Sequence, residues 1–152
     1  MRRAGRLTLW IELDDDALVE LGASAVSGAF SGSGAAWFSR EELIEFANRL
    51  ASTYPIPAGE RIEIHGGYLV PSGDDSDPIH LLIAISPIGS RGMLGCEIRL
   101  ADERMYNNIR RFQQRSRMEL WTTYEAISRF ADELSQLLAG ARKDANLDET
   151  EH

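Results

Sequence analysis

The stretch IHLLIAISPIGSRGMLGCEIRL (79–100) contains two strand patterns joined by a turn. Its first part (79–86) is nearly all apolar, which is typical of a strand covered on both faces. PIGSRG (87–92) has the composition of a hairpin connection. In MLGCEIRL (93–100), apolar residues alternate with polar residues or glycine, which indicates an amphipathic strand. A tight hairpin joins antiparallel strands, so this stretch predicts an antiparallel sheet.

Further strands are expected on both sides of this hairpin. Segments with a period of two, or with a small and strand-like composition, occur at 6–13, 23–31, 61–70 and 115–120. Residues 104–114 fit two patterns, because some apolar residues have helical spacing while Asn107 and Asn108 favour a turn into a strand. The sequence leaves that choice open.

Two segments have the spacing of amphipathic helices. SREELIEFANRL (39–50) begins with Ser39 as N-cap and Glu42 three residues later, which is a capping box. Thr122 or Thr123 caps a second helix that ends near Gly140. The two segments share a hydroxyl cap and a Glu, Phe, Ala and Leu at matching positions. Chance similarity explains this more simply than duplication of a strand–strand–helix unit, and both explanations stay open.

These patterns predict an α+β fold with one antiparallel sheet of five or six strands and two amphipathic helices packed on it. A chain of 152 residues is the usual size of one domain. We expect a single domain over 1–140. Residues 141–152 are polar and without periodicity, which predicts a disordered tail.

The composition limits the classes of function. The formal net charge is -8, and non-specific nucleic-acid binding needs a basic surface. No apolar run is long enough to span a bilayer, and the first residues lack the unbroken apolar region of a signal peptide. We therefore expect a cytoplasmic protein with no membrane partner. The single cysteine excludes an intrachain disulfide and a cysteine-built zinc site.

Few residues could carry catalysis. The three histidines, His65, His80 and His152, have no metal-ligand spacing, and Cys96 shares a strand face with apolar residues. The acidic loop 72–78 lacks the ligand spacing of a calcium site. The sequence predicts no catalytic residues, no metal site and no cofactor, and hence a protein that is not an enzyme.

A cluster of arginines is the strongest charge asymmetry. Between 104 and 117 there are five arginines and no acidic residue, with aromatic side chains between them. This segment can be a solvated face paired with nearby acids, a surface for an anionic protein or for self-association, or a platform for single-stranded nucleic acid. The candidate binding residues are Arg104, Tyr106, Arg110, Arg111, Arg115 and Arg117.

Three segments carry a resemblance to known proteins: GAAWFSREELIEFANRL (34–50), IAISPIGSRGMLGCEIRL (83–100) and TTYEAISRFADELSQLL (122–138). Together they make the chain resemble small uncharacterised bacterial α+β proteins, some of them predicted immunity proteins of toxin systems. The resemblance covers about half of the chain and rests on structural motifs. It implies a sheet-and-helix binding domain without an active site, and it transfers no functional residue.

The sequence therefore predicts a non-enzymatic bacterial domain that binds another protein, with inhibition of a toxin domain as a candidate role. The alternative is a nucleic-acid or nucleotide-binding module that uses the arginine-rich segment 104–117.

Overall fold

A computed structural model describes residues 4–67, 79–107 and 109–150, without the side chains of 103–106 and 110–113. Within these ranges the chain forms strands and two helices. In order they are β1 (Arg6–Asp15), β2 (Leu18–Ser27), β3 (Phe30–Ser39), α1 (Arg40–Ser52), β4 (Ile62–Gly66), β5 (Leu81–Ile88), β6 (Met93–Tyr106), β7 (Ile109–Thr123), α2 (Tyr124–Leu138) and β8 (Ala145–Asp148).

The strands form two antiparallel sheets of four. The first sheet has the order β3-β2-β1-β8 and the second has the order β4-β5-β6-β7. The α+β class is confirmed, but the prediction of one sheet with five or six strands is wrong. The strands β1–β3 and β5–β7 each form a separate meander, and a fourth strand from elsewhere in the chain completes each sheet.

The two sheets have the same topology. Each half of the chain runs through three antiparallel strands, a helix and a fourth strand, and the fourth strand pairs with the first strand of the other half. Thus β4 pairs with β5, and β8 pairs with β1. This exchange gives the arrangement of an internal two-fold repeat. It favours duplication over chance as the explanation for the similar helices.

Strand β8 lies in the segment that the sequence predicted to be disordered, so that prediction is wrong for residues 145–148. Ala145 and Leu147 are fully buried, and β8 pairs with β1 from Arg6 to Leu9. A strand of four residues is too short to show a period. Its order comes from pairing with the distant start of the chain, which local sequence does not reveal.

Both helices begin as predicted. The Ser39 hydroxyl accepts a hydrogen bond from the Glu42 amide (3.1 Å), and the Thr123 hydroxyl accepts one from the Ala126 amide (3.2 Å). Each cap satisfies an amide that the first helical turn leaves without a partner. The helices pack against each other, and their apolar stripes join one core with both sheets. The buried helix residues are Leu43, Phe46, Ala47, Leu50, Ala126, Ile127, Phe130, Ala131, Leu134, Leu137 and Leu138.

Strands β3 and β7 occupy matching places in the two halves and touch each other. A Cβ atom on Gly32 would lie 2.8 Å from the Ser116 Cβ, closer than side chains approach. Counted back from the two caps, Gly32 and Ser116 are equivalent positions. Because Gly32 has no side chain, β3 and β7 can approach each other closely at these equivalent positions.

In the ambiguous segment 104–114, residues 104–106 and 109–114 are extended, because β6 continues to Tyr106 and β7 starts at Ile109. The predicted end of a strand at 68–70 and the acidic loop 72–78 lie outside the described residues.

Candidate binding surface on the second sheet

The hairpin formed by β6 and β7 is longer than its counterpart. We call β2–β3 the short hairpin and β6–β7 the long hairpin. The short hairpin has strands of 10 and 10 residues, and the long hairpin has strands of 14 and 15. The register of the long hairpin shifts between Asp102 and Glu103, opposite Gln114 and Phe112. Residues 103–113, which we call the extension, lie beyond the length of the short hairpin.

All six residues predicted to bind lie on the long hairpin. Arg104 pairs with Arg111 in the strand register, and Tyr106 is the last residue of β6. Arg110 also lies in the extension. The side chains of these four residues lie outside the described part of the structure. Strand pairing therefore places the predicted residues together along one hairpin.

Arg115 and Arg117 lie on β7 below the extension, and both are exposed. The neighbouring Met118 and Leu120 are buried. Side chains alternate between the two faces of a strand, so the two arginines share the face turned away from the core. We call this face the outer face of the second sheet.

The outer face holds an ion-pair cluster centred on Glu97. The Glu97 carboxylate lies 2.6 Å from the Arg117 guanidinium, 3.3 Å from that of Arg99 and 3.8 Å from that of Arg61. Arg61 also pairs with Glu63 at 2.6 Å. Arg99 lies directly opposite Arg117 in the register, an arrangement that repulsion would oppose without an acid between them. Glu97 supplies that acid.

The environment of Glu97 has two opposing effects on its pKa. Burial raises the pKa, because only 17% of the side chain is exposed. Hydrogen bonds and charges from Arg99 and Arg117 lower it, and together they hold the pKa below its ordinary value. Glu97 is therefore ionised at neutral pH. Three arginines share this half-buried acid and one further acid, Glu63, and Glu119 lies directly opposite Glu97 in the strand register, so the outer face carries charges of both signs.

Apolar side chains are exposed at both ends of β7. Ile109 at the tip is 55% exposed, and Trp121 near the helix is 48% exposed. The Trp121 indole donates a hydrogen bond to Glu119 (3.0 Å), which orients the ring on the outer face. Arginines next to exposed aromatic and aliphatic groups are characteristic of protein interfaces.

A polar cleft of about 580 Å³ separates the short hairpin from the base of the extension. Ser31 and Ser33 line one side, and Asp102, Gln114 and Ser116 line the other. The volume is in the range of ligand sites, and the lining combines hydroxyl and amide groups with the charged side chains of Asp102 and Arg115. The cleft shows that the two hairpins diverge beyond the contact of Gly32 with Ser116.

The histidines and the cysteine, which were the sequence-based candidates for catalysis, do not form a common site in the described residues. His80 is buried and His65 is exposed on β4, while His152 lies outside the described residues. Cys96 points into the core as predicted, and burial, followed by the charges of Glu119 and Glu97, raises its pKa to about 12. Such a thiol is not a nucleophile at neutral pH. Within the described ranges, no three His, Cys, Asp or Glu side chains cluster in a way that could hold a metal ion.

Sequence reasoning missed Arg61, Glu97 and Arg99 as parts of the same charged surface. The alternation in 93–100 does place Glu97 and Arg99 on one polar face, which was an available signal. Arg61 precedes β4, far away in sequence, and reaches Glu97 because β4 and β6 both pair with β5. No local pattern predicts that approach.

Comparisons with protein-family models, curated proteins and solved structures give no match for this chain. Neither helix in the described residues is both long and apolar enough to cross a membrane.

Proposed function

We propose that this chain is a non-enzymatic, cytoplasmic protein-binding domain that uses the long hairpin to bind an acidic surface of another protein. The observation that carries the proposal is the difference between the hairpins. The two halves have the same topology, but the hairpin of the second half is longer and carries arginines. The fold does not require the additional residues, because the first half forms the same sheet without them.

The charges of the described residues favour a protein partner over nucleic acid. Glu97, Glu119 and Asp102 lie on the same two strands as Arg99, Arg115 and Arg117, so the hairpin carries positive and negative groups together. A phosphate backbone is uniformly negative and would be repelled by these acids. A folded protein can match a mixed pattern, and charge complementarity increases the association rate and the specificity.

Inhibition of a bacterial toxin is the particular role that we propose for this binding. An inhibitor of this kind needs a stable scaffold and a charged recognition surface, and the shared core and the long hairpin are suited to those two tasks. The role requires no catalytic group on this chain.

Co-expression with the proteins encoded beside its gene tests the proposal. We expect one of them to co-purify with the chain, and its toxicity to be suppressed. Arg115→Glu combined with Arg117→Glu is expected to lower the affinity at least about tenfold, which corresponds to about 1.4 kcal/mol. Arg91→Glu is the matched control, because Arg91 is exposed in the turn at the opposite end of β6.

Two results would contradict the proposal. One is a stable partner whose binding is unaffected by the double reversal. The other is binding of single-stranded nucleic acid that weakens steeply with salt and is lost in the same variant, which would support the nucleic-acid alternative.

A further inference from the structure

The polar cleft lies where the two halves of the chain meet. Ser31 and Ser33 belong to β3 of the first half, and Gln114 and Ser116 belong to β7 of the second half. The close approach of Gly32 to Ser116 closes the cleft at one end. Ligand sites occur preferentially where two structural units meet. The position of the cleft in the internal repeat is therefore that of a ligand site.

Three serines of the first half stand at positions that carry arginine in the second half. Counted back from the helix caps and across the strand registers, the equivalent pairs are Ser24 and Arg99, Ser31 and Arg115, and Ser33 and Arg117. All three serines are exposed and line the polar cleft. A serine side chain is short, so it leaves the cleft open, and its hydroxyl both donates and accepts hydrogen bonds. The first half thus contributes a neutral wall of hydroxyl groups.

The second half contributes a carboxylate, an amide and a guanidinium. Asp102 and Gln114 face each other in the strand register, and Arg115 follows Gln114 on β7. A carboxylate accepts hydrogen bonds, a guanidinium donates them, and an amide does both. Because Asp102 and Arg115 have opposite charges, the formal charges of the lining cancel. This wall therefore offers donors and acceptors without a net charge.

The chemistry of both walls favours a neutral ligand with many hydroxyl groups. Among the lining residues that the structure describes, only Gly32 and Leu100 lack a polar side chain. An apolar ligand would bury the hydroxyl and amide groups without partners, which costs free energy. Asp102 would repel an anion, and Arg115 would repel a cation. A sugar hydroxyl avoids both costs, because it donates and accepts as a serine hydroxyl does.

We propose that the polar cleft binds a neutral, hydroxyl-rich small molecule of the size of a mono- or disaccharide. Its volume of about 580 Å³ is within the range of sites for such molecules. Ser31 and Ser33 hydrogen-bond the ligand from the first half, and Asp102 and Gln114 do so from the second. The ligand thereby bridges the two halves at the base of the extension. This binding goes beyond the proposed function, because it requires no protein partner.

Titration of the full chain with D-glucose, myo-inositol and trehalose, followed by amide chemical shifts in NMR, tests the inference. We expect at least one of the three to bind with a dissociation constant below about 10 mM. The amides of Ser31, Ser33, Gln114 and Ser116 are expected to shift. The amide of Ser128, which is exposed on α2, is expected not to shift. Cyclohexanol, a six-membered ring with a single hydroxyl, is the matched control ligand and is expected not to bind.

Two variants distinguish the shape of the cleft from its hydroxyl groups. Ser33→Arg introduces the side chain that Arg117 carries at the equivalent position of β7, so the strand is expected to tolerate it. It reduces the open space, and we expect binding to weaken at least about tenfold. Ser31→Ala with Ser33→Ala keeps the space but removes two hydroxyls, and we expect a loss of the same size. Ser128→Arg is the matched control on α2 and is expected to have no effect.

Three results would overturn the inference. The first is the absence of shifts in the cleft with all three polyols at ten times the expected dissociation constant. The second is equal binding of cyclohexanol or inorganic phosphate in the cleft, which would show that its lining does not select neutral hydroxyl-rich ligands. The third is polyol binding that neither serine variant weakens, although denaturation shows both to be folded. The proposed function fails separately, when no neighbouring protein depends on Arg115 and Arg117 for binding.

Discussion

The short and long hairpins show how two equivalent parts of one fold diverge. From Leu21 to Ser39 the short hairpin contains no charged residue and is rich in glycine, alanine and serine. The long hairpin has charged residues along both strands and continues beyond the bulge at Asp102. Both hairpins occupy the same position in their sheets, next to the first strand of their own half. The topology of each half therefore depends on its buried residues, and its exposed residues can differ without changing the fold.

The buried positions of the two halves also differ, in a complementary way. Where the first half has Ala25 and Ala36, the second has Leu100 and Leu120 at the equivalent places in the strand registers. The relation is reversed next to the helix, where Phe38 is equivalent to Thr122. Small residues on one side make room for large ones on the other, because the two sheets share one close-packed core.

The largest expected effect tests whether the helices of the two halves are equivalent. Phe46 and Phe130 occupy matching positions and are 4% and 0% exposed. We expect Phe46→Ala and Phe130→Ala each to lower the free energy of unfolding by about 3–5 kcal/mol, because each leaves a cavity. Urea denaturation of the two variants measures this. A loss below about 1 kcal/mol in one of them would contradict a shared core.

A second prediction concerns the point where β3 meets β7. Gly32→Ala places a Cβ against Ser116, and we expect a loss of about 1–3 kcal/mol in the free energy of unfolding. Ser116→Gly in the same chain removes the opposing atoms and should restore most of that loss. A double-mutant cycle measures the coupling. Additive effects of the two substitutions would show that the strands do not touch there.

A third prediction uses the ion-pair cluster around Glu97 on the outer face of the second sheet. Arg99 and Arg117 lower the pKa of Glu97 in the folded state, so the folded chain binds a proton at Glu97 more weakly than the unfolded chain. The stabilisation is present above the ordinary pKa of 4.5 and is lost as the pH falls further. At neutral pH we expect Glu97→Gln to cost about 1 kcal/mol, a modest value because the arginines are largely exposed.

Denaturation of wild type and Glu97→Gln at several pH values checks this prediction. The difference between the two proteins should be largest near neutral pH and shrink below pH 4.5. Glu63→Gln is the matched control, since Glu63 pairs with Arg61 alone in the described network and should change stability less. A difference that grows as the pH falls would contradict the role of Glu97.

Local signals were sufficient to predict both helices and most strands, but the strand predicted at 23–31 is wrong, because this segment spans the turn between β2 and β3. Ser39 and the pair Thr122 and Thr123 predicted the helix starts, because capping depends on residues within one turn, and Thr123 is the cap of α2. The alternation in 6–13 and 93–100 predicted strands for the same reason. The α+β class followed from these elements alone.

Long-range pairing could not be predicted in the same way. Leu147 is buried because β8 pairs with Leu7, at the other end of the chain, and no local pattern contains that contact. The division into two sheets depends on the same pairing. The internal repeat was visible in the helices but not in the strands, because complementary packing replaced Ala25 by Leu100 and Gly32 by Ser116. The arginine segment was recognised, but its partner Glu97 was not.

The smallest expected effect on stability comes from removing the extension. Replacing residues 103–113 by Asn-Gly would connect Asp102 directly to Gln114, which already face each other in the register. Asn-Gly is the preferred sequence for a two-residue hairpin turn. The first half turns between Ser27 and Phe30 in the same number of residues, so we expect the free energy of unfolding to change by less than about 1 kcal/mol.

Partner binding by this shortened chain tests the central claim most directly, namely that the long hairpin recognises the partner and the rest of the fold supports it. Denaturation first establishes that the shortened chain is folded, and calorimetry then measures its affinity for the co-purifying partner. We predict native stability together with at least about a hundredfold loss of affinity, equivalent to about 2.7 kcal/mol. Native stability with unchanged affinity would contradict the account.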